Sequence, residues 1–299
     1  MRTAGADAHR KFSSLQKPLL YSYGENLLPD PPMPSVTDAS SYDAIADFGL
    51  LYDSVPIYAE RPDVEFYVSE AARVESAVLE LGCGTGRILL PLARAGCAVS
   101  GLDSSDRMLA RCRAKLLNEP MSVQNRIELH RGDVRDFDLG KTFGLVIAPF
   151  RIVQHLVTID DQLRFLNSVA RHLAPGGHFI FDVFNPSFTA LVAADGAERE
   201  DTPEQTLSDG RSFRRAARVT RVRWVEQVSE VEIIYYVSEI AGAKAKRHVQ
   251  SFDMRWYLHA ELQHLMSRGG FRVQSVYGNF DRSPLKDDSR EQIVCAERL

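Results

Sequence analysis

Apolar residues first fall into a steady period after Arg61-Pro62-Asp63. Proline suits the first position of a helix, and Asp63 and Glu65 complement its positive end. Val64, Tyr67, Val68 and Ala71 then recur at i, i+3, i+4 and i+7, which predicts a helix with one buried stripe. From there strand and helix patterns alternate. Val78-Leu79-Glu80-Leu81 reads as a strand, followed by glycines and a helical run from Ile88 to Ala95. Ala98 to Asp103 is a second strand, and Ser105 or Asp106 caps a helix that places Met108, Leu109, Cys112 and Leu116 on one face. Ile127 to His130 and Leu145 to Ala148 are strands three and four. A helix from about Asp160 to Leu173, burying Leu163, Leu166, Ala170 and Leu173, stops at Pro175-Gly176-Gly177, and His178 to Val183 is strand five.

Strands that alternate with helices and are apolar on both faces imply a mostly parallel sheet covered on both sides. The alternation breaks after Asn185-Pro186. A polar stretch runs to about Asp209, and three β-rich runs follow at Ser212–Trp224, Ser229–Ile240 and Arg247–Trp256. Consecutive strands without helices between them predict an antiparallel insert. Tyr257 to Met266 returns to helix, and Phe271 to Tyr277 and Gln292 to Ala296 finish as strands. The domain reading is a flexible or loosely docked extension over 1–45, a main α/β domain over 46–187 plus 257–299, and an antiparallel insert or lid over 188–256. The extension carries Pro29, Pro31, Pro32 and Pro34 and sustains no apolar period.

Composition narrows the function classes. The chain has 299 residues, 44% of them hydrophobic, with 36 Lys+Arg against 40 Asp+Glu. The net charge of −4 leaves no global basic field for nucleic acid or an anionic membrane. The cysteines Cys83, Cys97, Cys112 and Cys295 contain no Cys-x-x-Cys pair, so neither a disulfide scaffold nor a metal site is expected. The N-terminus lacks the apolar centre of a signal peptide, and no run approaches the ~20 apolar residues of a membrane helix. The expected location is the cytoplasm.

The chemistry-bearing stretch is Glu80-Leu81-Gly82-Cys83-Gly84-Thr85-Gly86-Arg87. A strand entering Gly-x-Gly-x-Gly and then a helix leaves bare backbone for a ligand. Asp103 ends the second strand, placed to accept ribose hydroxyls, with Ser104 and Met108 beside it. Gly132-Asp133-Val134 ends the third strand, where a carboxylate can meet an adenine amino group. A dinucleotide fingerprint wants a small residue where Arg87 stands, which argues against a nicotinamide oxidoreductase. A nucleoside without phosphates but with a charged amino-acid tail fits better, namely S-adenosylmethionine (SAM). Glu80 suits that tail too, since an acid there can balance the ammonium or order water around it.

On these motifs, residues from about 45 to the end resemble a bacterial class I SAM-dependent methyltransferase of the small-molecule, glycine N-methyltransferase-like kind. Val78 to Gly86, Asp103, Gly132-Asp133-Val134 and Leu173-Ala174-Pro175-Gly176-Gly177 carry the resemblance, along with the chain end from Tyr277 to Glu291. It implies a Rossmann-like, mostly parallel seven-stranded sheet of order 3-2-1-4-5-7-6 with an antiparallel β insert between strand five and the last helix. It further implies that Arg61 holds the methionine carboxylate and that Tyr52 or Tyr58 lies over the cofactor. The resulting cofactor set is Tyr58, Arg61, Glu80, Gly82, Cys83, Gly84, Gly86, Asp103, Ser104, Met108, Gly132, Asp133, Val134 and Ala148.

The acceptor is expected beyond strand four, beside Pro149, Phe150, Arg151, Gln154 and His155. His155 is the candidate base and Arg151 a candidate substrate contact. Asp182 and Asn185 face the same mouth. Phe184 stands near the position where glycine N-methyltransferases carry an arginine, which disfavours glycine as acceptor. Ala148-Pro149-Phe150-Arg151 departs from the pattern of methyltransferases that flip a base out of DNA. The insert carries Arg211, Arg214, Arg215, Arg218, Arg221 and Arg223 near Glu226, Glu230, Glu232 and Glu239, which predicts a salt-bridged sheet. Trp224, Tyr235, Tyr236, Trp256 and Tyr257 divide between its core and an aromatic roof. The reading is methyl transfer to nitrogen or oxygen of a small metabolite, with the insert also a candidate homodimer contact. The alternatives are an RNA or protein methyltransferase that lands substrate on the arginines, or a non-catalytic SAM-binding subunit.

Overall fold

In the computed structural model, which describes residues 45, 47–239 and 244–299, the apolar runs pair into one seven-stranded sheet. The extension expected over 1–45 lies, apart from Ile45, outside the described residues. Strands β1 (Val78–Leu81), β2 (Val99–Asp103), β3 (Ile127–Arg131), β4 (Phe143–Ala148) and β5 (Leu173–Phe184) are mutually parallel. A second sheet comprises β6 (Arg199–Thr206), β7 (Ser212–Arg223), β8 (Val228–Ser238) and β9 (Lys246–Arg255), antiparallel in sequential order. The chain then returns to the first sheet with β10 (Phe271–Tyr277) and β11 (Glu291–Arg298). The full order is β10-β11-β5-β4-β1-β2-β3, with β11 antiparallel to both neighbours. This is the order the resemblance implied.

The insert holds four strands where three were expected. The additional strand, β6, reads Arg-Glu-Asp-Thr-Pro-Glu-Gln-Thr and shows no apolar alternation. It needs none, because an edge strand is recruited by backbone pairing on one side, here to β7 from Arg199↔Ala217 to Thr206↔Ser212. Pro203 is tolerated there for the same reason.

The helices are α1 (Phe48–Asp53), α2 (Pro56–Ala59), α3 (Asp63–Ala71), α4 (Leu89–Arg94), α5 (Asp106–Leu116), α6 (Met121–Gln124), α7 (Ile159–His172), α8 (Phe188–Val192) and α9 (His259–Arg268). Two buried faces differ from expectation. Helix α3 buries Asp63, Phe66, Tyr67 and Ala71, with Val64 and Val68 only half-buried. Helix α7 buries Gln162, Phe165, Leu166, Ser168, Val169 and His172, leaving Leu163 and Ala170 at the margin. Its buried polar groups are paired, which makes that face tolerable. Gln162 Nε2 donates to the Leu156 carbonyl at 2.9 Å, Ser168 Oγ to the Arg135 carbonyl at 3.2 Å, and His172 Nε2 accepts the Leu139 N–H at 2.9 Å.

Each sheet face has its own core. Phe165, Val169, Phe179 and Met266 pack on one side, and Tyr67, Leu89, Leu109 and Ile147 on the other. A third cluster joins Phe48, Leu51 and Val55 of the N-terminal helices to Phe213, Tyr235 and Val237 of the insert. The insert is therefore held against α1 by apolar burial. Among the described residues no helix is long and apolar enough to cross a membrane.

Gly86 ends the glycine-rich turn with φ +82°, and a Cβ there would fall 2.7 Å from the buried Sγ of Cys112 on α5. Gly86→Ala is expected to cost roughly 1–3 kcal/mol of stability from the left-handed backbone alone. Urea unfolding should show a lowered midpoint at unchanged slope.

Candidate active site

The turn between β1 and α4 uses its three glycines differently. At Gly82 (φ +71°) the space a Cβ would need is filled by Ile152, whose Cδ1 would lie 2.2 Å away. Gly82 thus makes room for the chain's own side chain rather than for a ligand. Gly86 similarly admits Cys112. Gly84 (φ +54°) is the position where backbone stays bare, with Met108 Cε 3.4 Å from its hypothetical Cβ. Asp103 turns inward onto this turn. Its Oδ2 accepts the Gly84 N–H and its Oδ1 the Ser105 N–H, both at 2.8 Å.

Other members of the expected cofactor set are placed as follows. Cys83 is buried and its Sγ packs over Gly101, so burial pushes its thiol well up and its side chain faces the core. Ser104 is exposed beside Asp103, and Ala148 is buried at the end of β4. Gly132 lies against Leu102, and Val134 packs on the core edge. Asp133 is half-exposed and forked by Arg135, with contacts of 2.6 to 3.0 Å. Burial pulls its carboxyl up, and Arg135 more than offsets this, holding it below the usual range.

Glu80 lies inside β1 and is 3% exposed, with Oε2 lacking any partner among the described residues. Burial pushes its carboxyl well above the usual range, against the opposing pull of Arg87. An enclosed carboxylate oxygen without a donor is a demand for a cation.

Beyond it runs a network of alternating charges at the C-terminal ends of the strands. Asp182 of β5 is fully buried and accepts from Arg61 Nη2 (2.7 Å), the Tyr67 hydroxyl (2.7 Å) and the Phe150 N–H (2.8 Å). Asp63, also fully buried, takes both Nη atoms of Arg87 at 2.6 and 2.7 Å and Arg61 Nε at 2.9 Å. Arg61 Nη1 and Arg151 Nη2 reach Glu291 Oε1 at 3.2 and 3.1 Å. Three guanidinium groups thus meet three carboxylates. Sequence reading flagged Arg61, Arg151 and Asp182, but missed Asp63 and Glu291 as members and used Arg87 only to exclude a dinucleotide. The three acids sit in distant parts of the chain, so no local spacing could have joined them.

Phe150 and Arg151 both adopt left-handed backbone, with φ +58° and +69°. Such pairs of non-glycine residues are strained, and they persist where the surroundings hold them. Here Phe150 is gripped by its N–H bond to Asp182 and lies between Arg61 (5.1 Å) and Arg87 (5.2 Å). Its ring meets Tyr58 edge-on at 4.9 Å, and Tyr58 meets Tyr52 at 4.8 Å. These three rings form one cluster, the candidate roof. The insert aromatics expected there serve otherwise, since Tyr235, Trp256 and Tyr257 are buried and Trp224 is about half exposed. The insert instead reaches the roof through Arg215, 2% exposed, which Asp201 forks with two contacts of 2.8 Å. Arg215 donates to the Tyr58 hydroxyl and stacks over its ring at 4.6 Å.

His155 ends a short 3-10 turn (Ile152–His155) and packs 5.2 Å from Phe252 of β9. Burial lowers its imidazole to about 4, so it is neutral at physiological pH. Gln154, expected at the substrate, is instead a strut that is fully buried. Its Oε1 accepts the Phe184 N–H at 2.9 Å and its Nε2 donates to the Arg255 carbonyl at 2.7 Å. Asn185 bonds the Ser289 carbonyl at 3.0 Å. Arg151 lies 5.6 Å over the Phe184 ring. Within the insert Arg211, Arg214, Arg215, Arg218 and Arg223 each pair with a carboxylate, as a salt-bridged sheet requires.

A bare backbone at Gly84, an inward acid at Asp103 and a buried unpaired Glu80 oxygen fit a nucleoside with a cationic tail and no phosphate. Comparison with known proteins agrees. A family model described as a methyltransferase domain matches residues 78–177. The dTDP-3-amino-3,6-dideoxy-alpha-D-glucopyranose N,N-dimethyltransferase of Streptomyces fradiae is 30% identical over 253 residues, covering 82% of this chain and 91% of the relative. The dTDP-3-amino-3,4,6-trideoxy-alpha-D-glucopyranose N,N-dimethyltransferase of Streptomyces venezuelae is 28% identical over 221 residues, covering 74% and 85%. Among solved structures, the SAM-bound amino pentose methyltransferase from Micromonospora echinaspora superposes with a TM-score of 0.57 at 25% identity, covering 93% of this chain and all of its own. The chain belongs to the SAM-dependent methyltransferases. Its methyl donor is SAM.

Arg215→Met removes a buried fork and leaves Asp201 and Tyr58 without it. The variant is expected to lose about 2–4 kcal/mol of stability in urea unfolding, as breaking a buried pair does. Arg215→Lys should recover part of the loss only, because an ammonium cannot fork a carboxylate.

Proposed function

We propose that this enzyme methylates an amine nitrogen of a small molecule, with an amino sugar as the substrate class and His155 as the proton acceptor. The observation that carries the reading is His155 itself, a neutral imidazole with no hydrogen-bond partner among the described residues, seated just after β4 and against the insert. An amine that enters as an ammonium must shed a proton before it can attack, and an imidazole lowered to about 4 passes that proton on to solvent rather than holding it. The named activities of the Streptomyces relatives, both amino-sugar N,N-dimethyltransferases, support the substrate class.

When bound, SAM supplies a sulfonium-activated methyl group for in-line displacement. The chain's part is alignment and exclusion of water, which can contribute up to about 7–11 kcal/mol of the barrier. Gly84 and Asp103 would receive the adenosine, with Asp133 at its adenine end and Met108 beneath the ribose. Glu80 would pair with the ammonium. Arg61 would hold the carboxylate through Nη1, whose present partner Glu291 is the longest of its three contacts at 3.2 Å. Tyr58 and Phe150 close over the reacting atoms. In the same proposal residues 188–256 act as a lid on the domain formed by 46–187 and 257–299. Its ion-paired arginines give the nucleic-acid alternative no support.

Two variants test the two halves of this reading. Glu80→Gln keeps the shape and removes the charge, so SAM binding should weaken roughly tenfold or more in calorimetric titration. Burial raises the Glu80 carboxyl above its usual range, and an ammonium partner favours its ionised form. A proton therefore leaves on binding, and the parent's affinity should rise with pH while the variant's stays flat. A pH-independent parent affinity would sink the ammonium assignment. His155→Gln should lower kcat by roughly 10²- to 10⁴-fold on an amino-sugar acceptor while SAM affinity is unchanged. Equal kcat would remove His155 from the chemistry.

A further inference from the structure

One cavity is lined by Gly86 and Arg87 of the glycine-rich turn but by none of Glu80, Gly84 and Asp103. It measures about 390 Å³ and is enclosed by α1–α2 and the outer faces of α4 and α5. Four cations line it, namely Arg87, Arg94, Arg111 and Lys115, against the single carboxylate of Asp53. Asp53 is shared among Arg111 Nε (2.9 Å), Lys115 Nζ (3.2 Å) and the Thr85 hydroxyl (2.6 Å). Its single charge leaves the Arg111 and Lys115 pair with one positive charge in excess. Arg87 and Arg94 pair with Asp63 and Glu119, neither of which lines the cavity. The rings of Tyr52 and Tyr58 form one wall, and Leu90 and Pro91 give an apolar floor.

We infer that this cavity is an anion site for the phosphate or diphosphate of a nucleotide, separate from the donor site. An excess of arginine and lysine around an aromatic wall is the combination that receives phosphate oxygens beside a planar base. The volume is within the range of small-ligand pockets. Gly86 and Arg87 belong to the donor turn, and Tyr58 to the roof, so an occupant bears on both. The diphosphate has two sources, the acceptor itself if nucleotide-linked, or a free nucleotide acting as an effector. The site does not depend on the amino-sugar reading, because its test uses no acceptor.

Calorimetric titration of the full chain with pyrophosphate and with thymidine diphosphate tests the site, in parallel with Arg94→Gln, Lys115→Gln and the double variant. Both anions should bind, more weakly as salt rises. Each substitution should reduce thymidine diphosphate affinity roughly tenfold, with SAM affinity and melting temperature unchanged. Absence of binding, or equal binding by the double variant, overturns the inference. Steady-state kinetics then separate the sources. Competition by thymidine diphosphate against a nucleotide-linked amino sugar assigns the diphosphate to the acceptor. A changed rate on a phosphate-free amine, without competition, assigns it to an effector. Binding that leaves both rates untouched would overturn any link between this cavity and the reaction.

Discussion

The carboxylate of Asp182, wholly enclosed at the C-terminal end of β5, is the constraint on which the site rests. Removing such a group from water costs several kcal/mol, and only well-aimed donors offset that. Its three donors come from three separate parts of the chain, Arg61 before α3, Tyr67 within α3 and the Phe150 N–H after β4. Each is fixed by the need to keep the charge satisfied. Tyr67 shows the strength of this demand, since burial and the adjacent carboxylate push its hydroxyl well above its ordinary range. The entry helix, the sheet and the loop after β4 are thereby locked together at the C-terminal edge of the sheet.

Around that lock the site separates two kinds of charge. Inside, Arg61, Arg87 and Arg151 meet Asp63, Asp182 and Glu291 in an alternating lattice, and two buried carboxylate oxygens among the described residues, Glu80 Oε2 and Glu291 Oε2, have no partner. In the cavity beside Gly86, cations outnumber acids. The same Arg87 touches both regions.

Much of the fold was legible because β1, β2 and β4 are short runs that must be apolar on both faces, and because Gly84 and Asp103 fall at strand ends. β6 was not legible, since an edge strand of charged residues owes its existence to β7 rather than to its own pattern. Phe66 escaped because it lies beside Tyr67, off the period that Val64 and Val68 suggested, and α3 turned to bury Asp63 as well. Gln154 looked like a substrate contact from its place after β4, and only the fold revealed Phe184 and Arg255 on either side of its amide. Sequence offered Tyr52 or Tyr58 and some insert aromatics as a roof; in the fold Tyr52, Tyr58 and Phe150 cluster together and the insert contributes Arg215 to Tyr58. The Arg61–Asp63 pair is local, two residues apart, whereas the pairing of Glu291 with Arg61 and Arg151 leaves no local trace and could not be found by spacing.

The consecutive left-handed residues Phe150 and Arg151 carry a consequence for how this enzyme can change. Glycine at either place would relax the backbone and firm up the loop, yet at 150 it would surrender the ring that Arg61, Arg87 and Tyr58 hold. Sturdiness and turnover are therefore set against each other at one dipeptide. A lineage selected for heat would be pulled toward glycine there, and one selected for speed would keep the uncomfortable pair.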